Sequence, residues 1–184
     1  MFINPKTAIA EGWITWNDNV TDIEKHLQPN AIDFDCATIF NLDSASPAFL
    51  SETSKKMRAS NKLSPSWHDM YVQNVWTLEN NKCYDFSSNF HVTLPQGVAA
   101  ELIIRSTLNR NGVFLTSGIF DSGYSGQIAG MLRVHGGDFI LAPNTRIGQI
   151  KFIRSEDSGI MYAGGYNHAA DTHWSENKAT PTPN

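Results

Sequence analysis

The chain reads as one all-β domain of sandwich or barrel type with a single short helix near its N-terminus, and three observations lead there. From position 67 onward, short runs rich in β-branched and aromatic residues follow one another: "MYVQNVWTL", "CYDFSSNFHVTL", "AAELIIRS", "GVFLT", "QIAGMLRVH", "DFILA", "RIGQIKFIRS" and "IMYAG". Turn chemistry separates them at "ENNK", "LPQG", "NRNG", "DSGYSG", "HGGD", "APNT" and "EDSG". A length of 184 residues with 41% hydrophobic content suits one core, and no fixed-period repeat suggests a solenoid or propeller.

The helix falls at "VTDIEKHLQ", residues 20–28, where Thr21 or Asp22 caps and Ile23 and Leu27 lie one turn apart. Next, "PNAIDFDCATIFNLD", residues 29–43, alternates Ile32, Phe34, Cys36 and Thr38 against Asp33 and Asp35, the period-two pattern of a half-buried strand. Residues 44–66, "SASPAFLSETSKKMRASNKLSPS", are rich in Ser and Lys without a pattern and read as an exposed connection. The strands above follow. The domain takes in residues 1–170, and 171–184, which end in the polar "HWSENKATPTPN", are expected to fray as a flexible tail. Trp13, Trp16, Trp67 and Trp76 read as core and interface material, because aromatics dominate buried area in small β domains.

A formal net charge of −4 offers no broad positive field for DNA or RNA, whose backbone would need clustered Lys and Arg. A small phosphate ligand needs only a few converging guanidiniums and stays open. The start "MFINPKTAIAEGWITW" lacks a basic region followed by an apolar run, and no window approaches the ~18 apolar residues of a membrane span. The expectation is a soluble, unexported chain with no membrane partner. Cys36 and Cys83 are the only cysteines and form no C-x-x-C pair, so neither a zinc site nor a disulfide framework is indicated, and a reducing cytoplasm suits them.

Chemistry concentrates in "IIRSTLNRNGVFLTSGIFDSGYSGQ", residues 103–127. Arg105 and Ser106 end a strong β pattern and Arg110 follows before the turn Asn111-Gly112, which gathers two guanidiniums and a hydroxyl at one strand end. Guanidinium forks match phosphate oxygens, and Ser106 can donate to another; alternatively both Arg residues pair with surface carboxylates. In "GIFDSGYSG", Gly118, Gly123 and Gly126 permit a tight turn that carries Asp121 and Tyr124. An Asp there is either a turn-former or a functional carboxylate.

The order "RSTLNRNG", "GIFDSGYSGQI", "LAPNTRIGQIKF" resembles the motifs of the superfamily that contains dCTP deaminases and trimeric dUTP diphosphatases. "LQPNAIDFD" is similar to the deaminases' N-terminal Q-P-x-S-x-D-L strand, "FHVTLPQGVAAELIIRS" to the strand before their Arg-Ser motif, and "MYAGGYN" to their C-terminal Y-x-G-K-Y-Q. Nearly the whole chain except 44–66 and the tail is covered. The resemblance implies a distorted jelly-roll or β-clip subunit, dUTPase-like, that assembles as a homotrimer with sites shared between subunits. It implies a deoxynucleoside triphosphate, dUTP or dCTP, as the substrate, with Arg105, Ser106, Thr107 and Arg110 toward its phosphates and Ile119 on the substrate side of the hairpin. Gln149 in "RIGQI" matches the family's R-I-A-Q and meets phosphate or fixes the motif that does.

Two branches compete. Deaminases of this family work without zinc and use a Glu on the strand after the Asp hairpin; that position is Met131 here, and a thioether neither donates nor accepts the proton required. The family's C-terminal Lys and Gln fall on Gly165 and Asn167, and no zinc-deaminase signature is present. In dUTP diphosphatases the hairpin Asp deprotonates the water that attacks the α-phosphorus, and an aromatic three residues on packs against deoxyribose; Asp121 and Tyr124 hold that spacing. Hydrolysis on a net acidic protein then calls for Mg²⁺ on the substrate phosphates beside Arg105 and Arg110, with no metal-ligating residues of the chain's own.

The diphosphatases' C-terminal Gly-rich arm is not matched by "YAGGYNHAADTHW". Tyr162, Tyr166 and His168 either cover a base or, for the tyrosines, pack at a subunit contact. His135 in "HGGD" reads as a turn residue. Glu101 either supplies a substitute acid, holds Arg105, or pairs at the surface. The leading expectation is therefore a Mg²⁺-dependent dUTP diphosphatase, followed by a dCTP deaminase with a rearranged acid-base group and by a nucleotide-binding protein without turnover.

Overall fold

The computed structural model describes residues 1–45, 47–156 and 159–164. The chain begins with α1 (Pro5–Ala10), β1 (Ile14–Trp16), a 3₁₀ turn (Ile23–His26), β2 (Ile32–Cys36) and β3 (Thr38–Leu42). Four short strands come next: β4 (Phe49–Leu50), β5 (Lys55–Lys56), β6 (Ser60–Leu63) and β7 (Ser66–His68). Longer ones follow as β8 (Gln73–Leu78), β9 (Cys83–Thr93) and β10 (Val98–Ile104), then α2 (Ser106–Arg110) and β11 (Val113–Thr116). The chain closes with β12 (Ser125–Val134), β13 (Phe139–Leu141) and β14 (Thr145–Arg154). The mostly β architecture is the one expected, and its sheets stay open.

The largest sheet has the order β11-β12-β9-β3-β6, with β1 pairing the far end of β9; the others are β10-β14-β2, β13-β8-β7 and the hairpin β4-β5. The β2 and β9 faces meet through Phe34 and Phe86, whose rings stack 5.8 Å apart at an interplanar angle of 3°. Around this pair Ile32, Ile39, Phe90, Val92, Ile128, Leu132, Ile150 and Phe152 are buried. Burying one such side chain contributes roughly 1.5–3 kcal/mol, so this seam supplies much of the driving force for sheet packing.

Several sequence expectations change. Residues 20–28 form only the 3₁₀ turn, because Gln28 precedes Pro29, which disfavours helical backbone there, and Leu27 is already extended at φ −70°, ψ 128°. The N-terminal helix lies earlier, as α1, with Pro5 in its first turn and the Asn4 side chain accepting from the Lys6 N–H at 2.9 Å. Residues 29–43 make two strands that change sheet at Ala37, and their acidic face is not open to water: Asp33 and Asp35 are 0% and 1% exposed. Burial is offset by partners; the Asp35 carboxylate accepts from the Ser88 hydroxyl at 2.8 Å and from the Asn89 backbone and side chain at 2.9 and 2.6 Å.

The connection 44–66 is partly built into the fold, since β6 pairs with β3 and extends the large sheet. "IMYAG" is not a strand; Tyr162 instead donates its N–H to the Ser122 carbonyl at 2.8 Å and lies along the 121–124 turn. "AAELIIRS" leaves the sheet at Ile104, and Ser106 to Arg110 continue as α2, closed by the Asn109 N–H donating to the Arg105 carbonyl at 3.1 Å. The expected tail 171–184 lies outside the described residues. No helix among the described residues is long and apolar enough to cross a membrane.

Candidate functional site

A β-bulge builds the polar centre. In a regular strand, residues three apart face opposite sides, so Arg146 and Gln149 would diverge. The pairing of β14 with β2 shifts register between Arg146 and Gly148, and the extra residue returns both side chains to one carboxylate. Gln149 donates to Asp33 Oδ1 at 2.8 Å and Arg146 to Asp33 Oδ2 at 3.2 Å. Arg105 Nε lies 3.5 Å from the same Oδ2, and an Arg105 terminal nitrogen donates to the Arg146 carbonyl at 3.2 Å. Arg146 also donates to the Lys25 carbonyl. Gly148 makes the close approach possible, because a Cβ there would run into the Phe34 ring.

Two guanidiniums share one fully buried carboxylate, which leaves one surplus positive charge. Their side chains are 30% and 34% exposed, so each keeps donors toward solvent. They open onto a cleft of about 340 Å³ lined also by Thr107, Tyr71, Gln73 and Phe139. The two guanidiniums give the cleft wall hydrogen-bond donors and positive charge. Ser106 and Thr107 are exposed on α2, with Thr107 on the cleft wall. Arg110 is exposed at the other end of α2 and does not line the cleft; the helical turn separates it from Arg105, and Arg146 takes the place beside Arg105.

The second group of residues lies alongside the start of β10. Phe120 bridges to Ala100, five residues before Arg105, so at about 3.3 Å per residue the Asp121 turn stands about 17 Å from Arg105 along that strand. Asp121 is exposed and has no ion-pair or hydrogen-bond partner for its carboxylate among the described residues. Tyr124 closes the turn by donating its N–H to the Asp121 carbonyl at 3.0 Å, with Gly123 at φ 87°, a value suited to glycine in that position. The Tyr124 hydroxyl donates to the Gln127 carbonyl at 3.2 Å, and its ring meets Phe120 and Tyr162 edge-on at 5.0 and 5.5 Å. Burial, with a smaller contribution from the neighbouring Tyr162, pushes the Tyr124 phenol up to about 12. Ile119 is exposed beside this turn.

Tyr162 thus packs on Tyr124 within its own chain; Gly165, Tyr166, Asn167 and His168 lie outside the described residues. Met131 sits on β12 opposite Thr116 and Asp85. Glu101 pairs with Lys151 at 2.7 Å, directly across β14, and does not hold Arg105. The His135 ring shares a hydrogen bond with the Asn81 side chain at 2.9 Å in an exposed turn. Among the described residues no group of three or more His, Cys, Asp or Glu gathers to hold a metal.

Asp33, Arg146, Tyr71 and Gln73 went unread as site residues. The signal for Asp33 was the unusual acidic alternation of "IDFDC", and for Arg146 its place three residues before Gln149 with an intervening Gly. Nothing local marks Tyr71 or Gln73, which reach the cleft only through the pairing of β8 with β13.

A model of the family described as dCTP deaminase-like matches residues 6–155. Among curated proteins, one named probable deoxyuridine 5′-triphosphate nucleotidohydrolase from Methanococcoides burtonii is 27% identical over 153 residues, covering 82% of this chain and 86% of that protein. Another of the same name from Methanopyrus kandleri is 28% identical over 145 residues, covering 78% and 88%. Among solved structures, a 2′-deoxycytidine 5′-triphosphate deaminase from Agrobacterium tumefaciens matches with a TM-score of 0.61 at 15% identity, over 82% of this chain and 47% of that one. The chain spans about half the length of that deaminase, and the likeness is one of fold. The family match runs from α1 to the end of β14 and so takes in the Asp33 centre, the cleft and the Asp121 turn: the chain belongs to the dCTP deaminase-like family.

Proposed function

We propose that the protein hydrolyses deoxynucleoside triphosphates, converting dUTP and water to dUMP and pyrophosphate. The observation that carries this reading is the exposed Asp121 carboxylate beside Tyr124, without a hydrogen-bond or ion-pair partner among the described residues, in a chain whose β12 carries Met131, a side chain unable to move a proton. Asp121 accepts a proton from the attacking water; the water oxygen bonds to the α-phosphorus, and the bond from that phosphorus to the bridging oxygen breaks as pyrophosphate leaves. Arg105 and Arg146, aligned by Asp33, meet the charge of the phosphates. Ser106, Thr107 and Gln149 supply or fix further donors around them, and Ile119 and Tyr162 border the Tyr124 side. Mg²⁺ bound to the substrate phosphates would supply further charge neutralisation; the cleft lining, cationic or neutral and without a carboxylate among the described residues, would leave its coordination to the phosphates and water.

A separation of about 17 Å along β10 keeps Asp121 and Arg105 of one chain from acting on the same α-phosphate. The site is then completed between copies, with the Asp121 turn of one facing the cleft of another in a homotrimer. Free Cys36 and Cys83 suit a reducing cytoplasm. Two relatives named probable dUTP nucleotidohydrolases support the choice of substrate. The family match keeps dCTP deamination as a second reading, in which ammonia is released. Incubation with dUTP and dCTP, reading pyrophosphate and ammonia together, separates the two, and Asp121→Asn is expected to slow pyrophosphate release about 10³-fold.

A further inference from the structure

The turn of the β7–β8 hairpin adopts a backbone that its sequence does not favour. Val72 has φ 53°, in the left-handed region where a β-branched residue is an outlier. The turn residues Asp69, Met70, Tyr71 and Val72 include none of the Gly, Asn or Pro that relieve such geometry. Both the Tyr71 and Val72 N–H groups donate to the His68 carbonyl, at 3.2 and 2.8 Å. The Trp67 indole N–H donates to Asp69 Oδ1 at 3.0 Å, and the His68 ring lies 4.7 Å from that of Tyr71. Strain held in place by several contacts at the rim of a cleft points to a use for the residue it presents.

That residue is Tyr71. With Gln73 it lines the cleft that also holds Arg105, Arg146 and Thr107. No Asp or Glu lines this cleft among the described residues, so its polar lining is rich in donors: two guanidiniums, a phenol, hydroxyls and an amide. One phosphate is satisfied by the guanidinium pair alone. A ligand of two or three linked phosphates extends beyond that pair, and the 340 Å³ volume has room for it.

We propose that Tyr71 is a specificity-determining residue, donating its phenolic hydrogen to a polyphosphate held by Arg105 and Arg146 and so distinguishing a polyphosphate from a single phosphate. The identity of the ligand as a nucleotide rests on the hydrolase reading; the recognition of a linked polyphosphate does not.

Calorimetric titration of the full chain with inorganic tripolyphosphate and with orthophosphate, without nucleotide or metal, tests this. The wild type is expected to bind tripolyphosphate at least about 10-fold tighter than orthophosphate, and Tyr71→Phe to lose about 10-fold in tripolyphosphate affinity with orthophosphate unchanged, as for one hydrogen bond to a charged acceptor. Met70→Ser, in the same turn but away from the cleft, is expected to change neither. If dUTP is hydrolysed, Tyr71→Phe should raise KM about 10-fold at unchanged kcat. Equal tripolyphosphate binding by wild type and Tyr71→Phe, an equal loss in Met70→Ser, or no preference for tripolyphosphate in the wild type overturns the proposal. No turnover of any nucleotide with the tripolyphosphate pattern intact removes the hydrolase reading alone; turnover with an unaltered KM and unaltered binding in Tyr71→Phe removes this one alone.

Discussion

Replacing Asp33 by Asn removes the negative charge on which the cleft is assembled while keeping the side chain's shape. The carboxylate is 0% exposed and accepts from Gln149 at 2.8 Å and Arg146 at 3.2 Å, with Arg105 at 3.5 Å. An amide offers one oxygen, so its NH₂ must face either the Gln149 amide or the guanidiniums, a donor against a donor. Breaking a buried ion pair costs about 3–5 kcal/mol, but both guanidiniums are about one-third exposed and are rehydrated in part. A loss of about 2 kcal/mol remains. For a chain of this size that is a fall in Tm of about 4–8 °C, measured at fixed protein concentration because assembly contributes to Tm. The released guanidiniums should also raise KM for dUTP by about 10-fold or more, with a smaller effect on kcat. A variant whose Tm stays within about 1 °C of wild type and whose KM is unchanged would show that Asp33 does not organise the cleft.

Three further outcomes follow from the geometry. Asp121→Asn should lower kcat about 10³-fold in a dUTP assay while thermal unfolding stays unchanged, since the carboxylate is exposed and makes no hydrogen bond or ion pair among the described residues. Gly148→Ala should destabilise by about 1–3 kcal/mol in urea titration through collision with the Phe34 ring, and trimming that ring with Phe34→Leu in the same chain should recover part of the loss. The Tyr124 phenol is raised from an ordinary 10.0 to about 12, so between those values the folded chain holds a proton that the unfolded chain has released. Stability should therefore fall as pH rises from about 10 and level off near 12, a limb that Tyr124→Phe should flatten and that an unaltered alkaline profile in that variant would disprove.

What local chemistry determines was legible: the antiparallel strands from β8 to β14 and the turn at Gly123 follow from alternation and turn residues. Motif order marked Arg105, Asp121, Tyr124 and Gln149 as a set. What escaped depends on long-range pairing. Asp33 looks solvent-facing because period-two alternation ignores a second layer, and only the β2–β9 contact shows that both faces are covered. Arg146 and Gln149 look divergent until the bulge is known, and Tyr71 reaches the cleft through strands distant in sequence. The stretch from Arg105 to Arg110 read as a strand end, whereas α2 turns Arg110 away and leaves Arg146 as the second guanidinium.

The most direct test is incubation of the purified chain with dUTP, and separately with dCTP, in the presence of Mg²⁺ and again with EDTA, following dUMP, pyrophosphate and ammonia together. dUMP and pyrophosphate are expected in equal amounts from dUTP, lost with EDTA and slowed about 10³-fold in Asp121→Asn, with no ammonia from dCTP. Ammonia from dCTP without pyrophosphate, or no product from either nucleotide, would contradict the hydrolase reading.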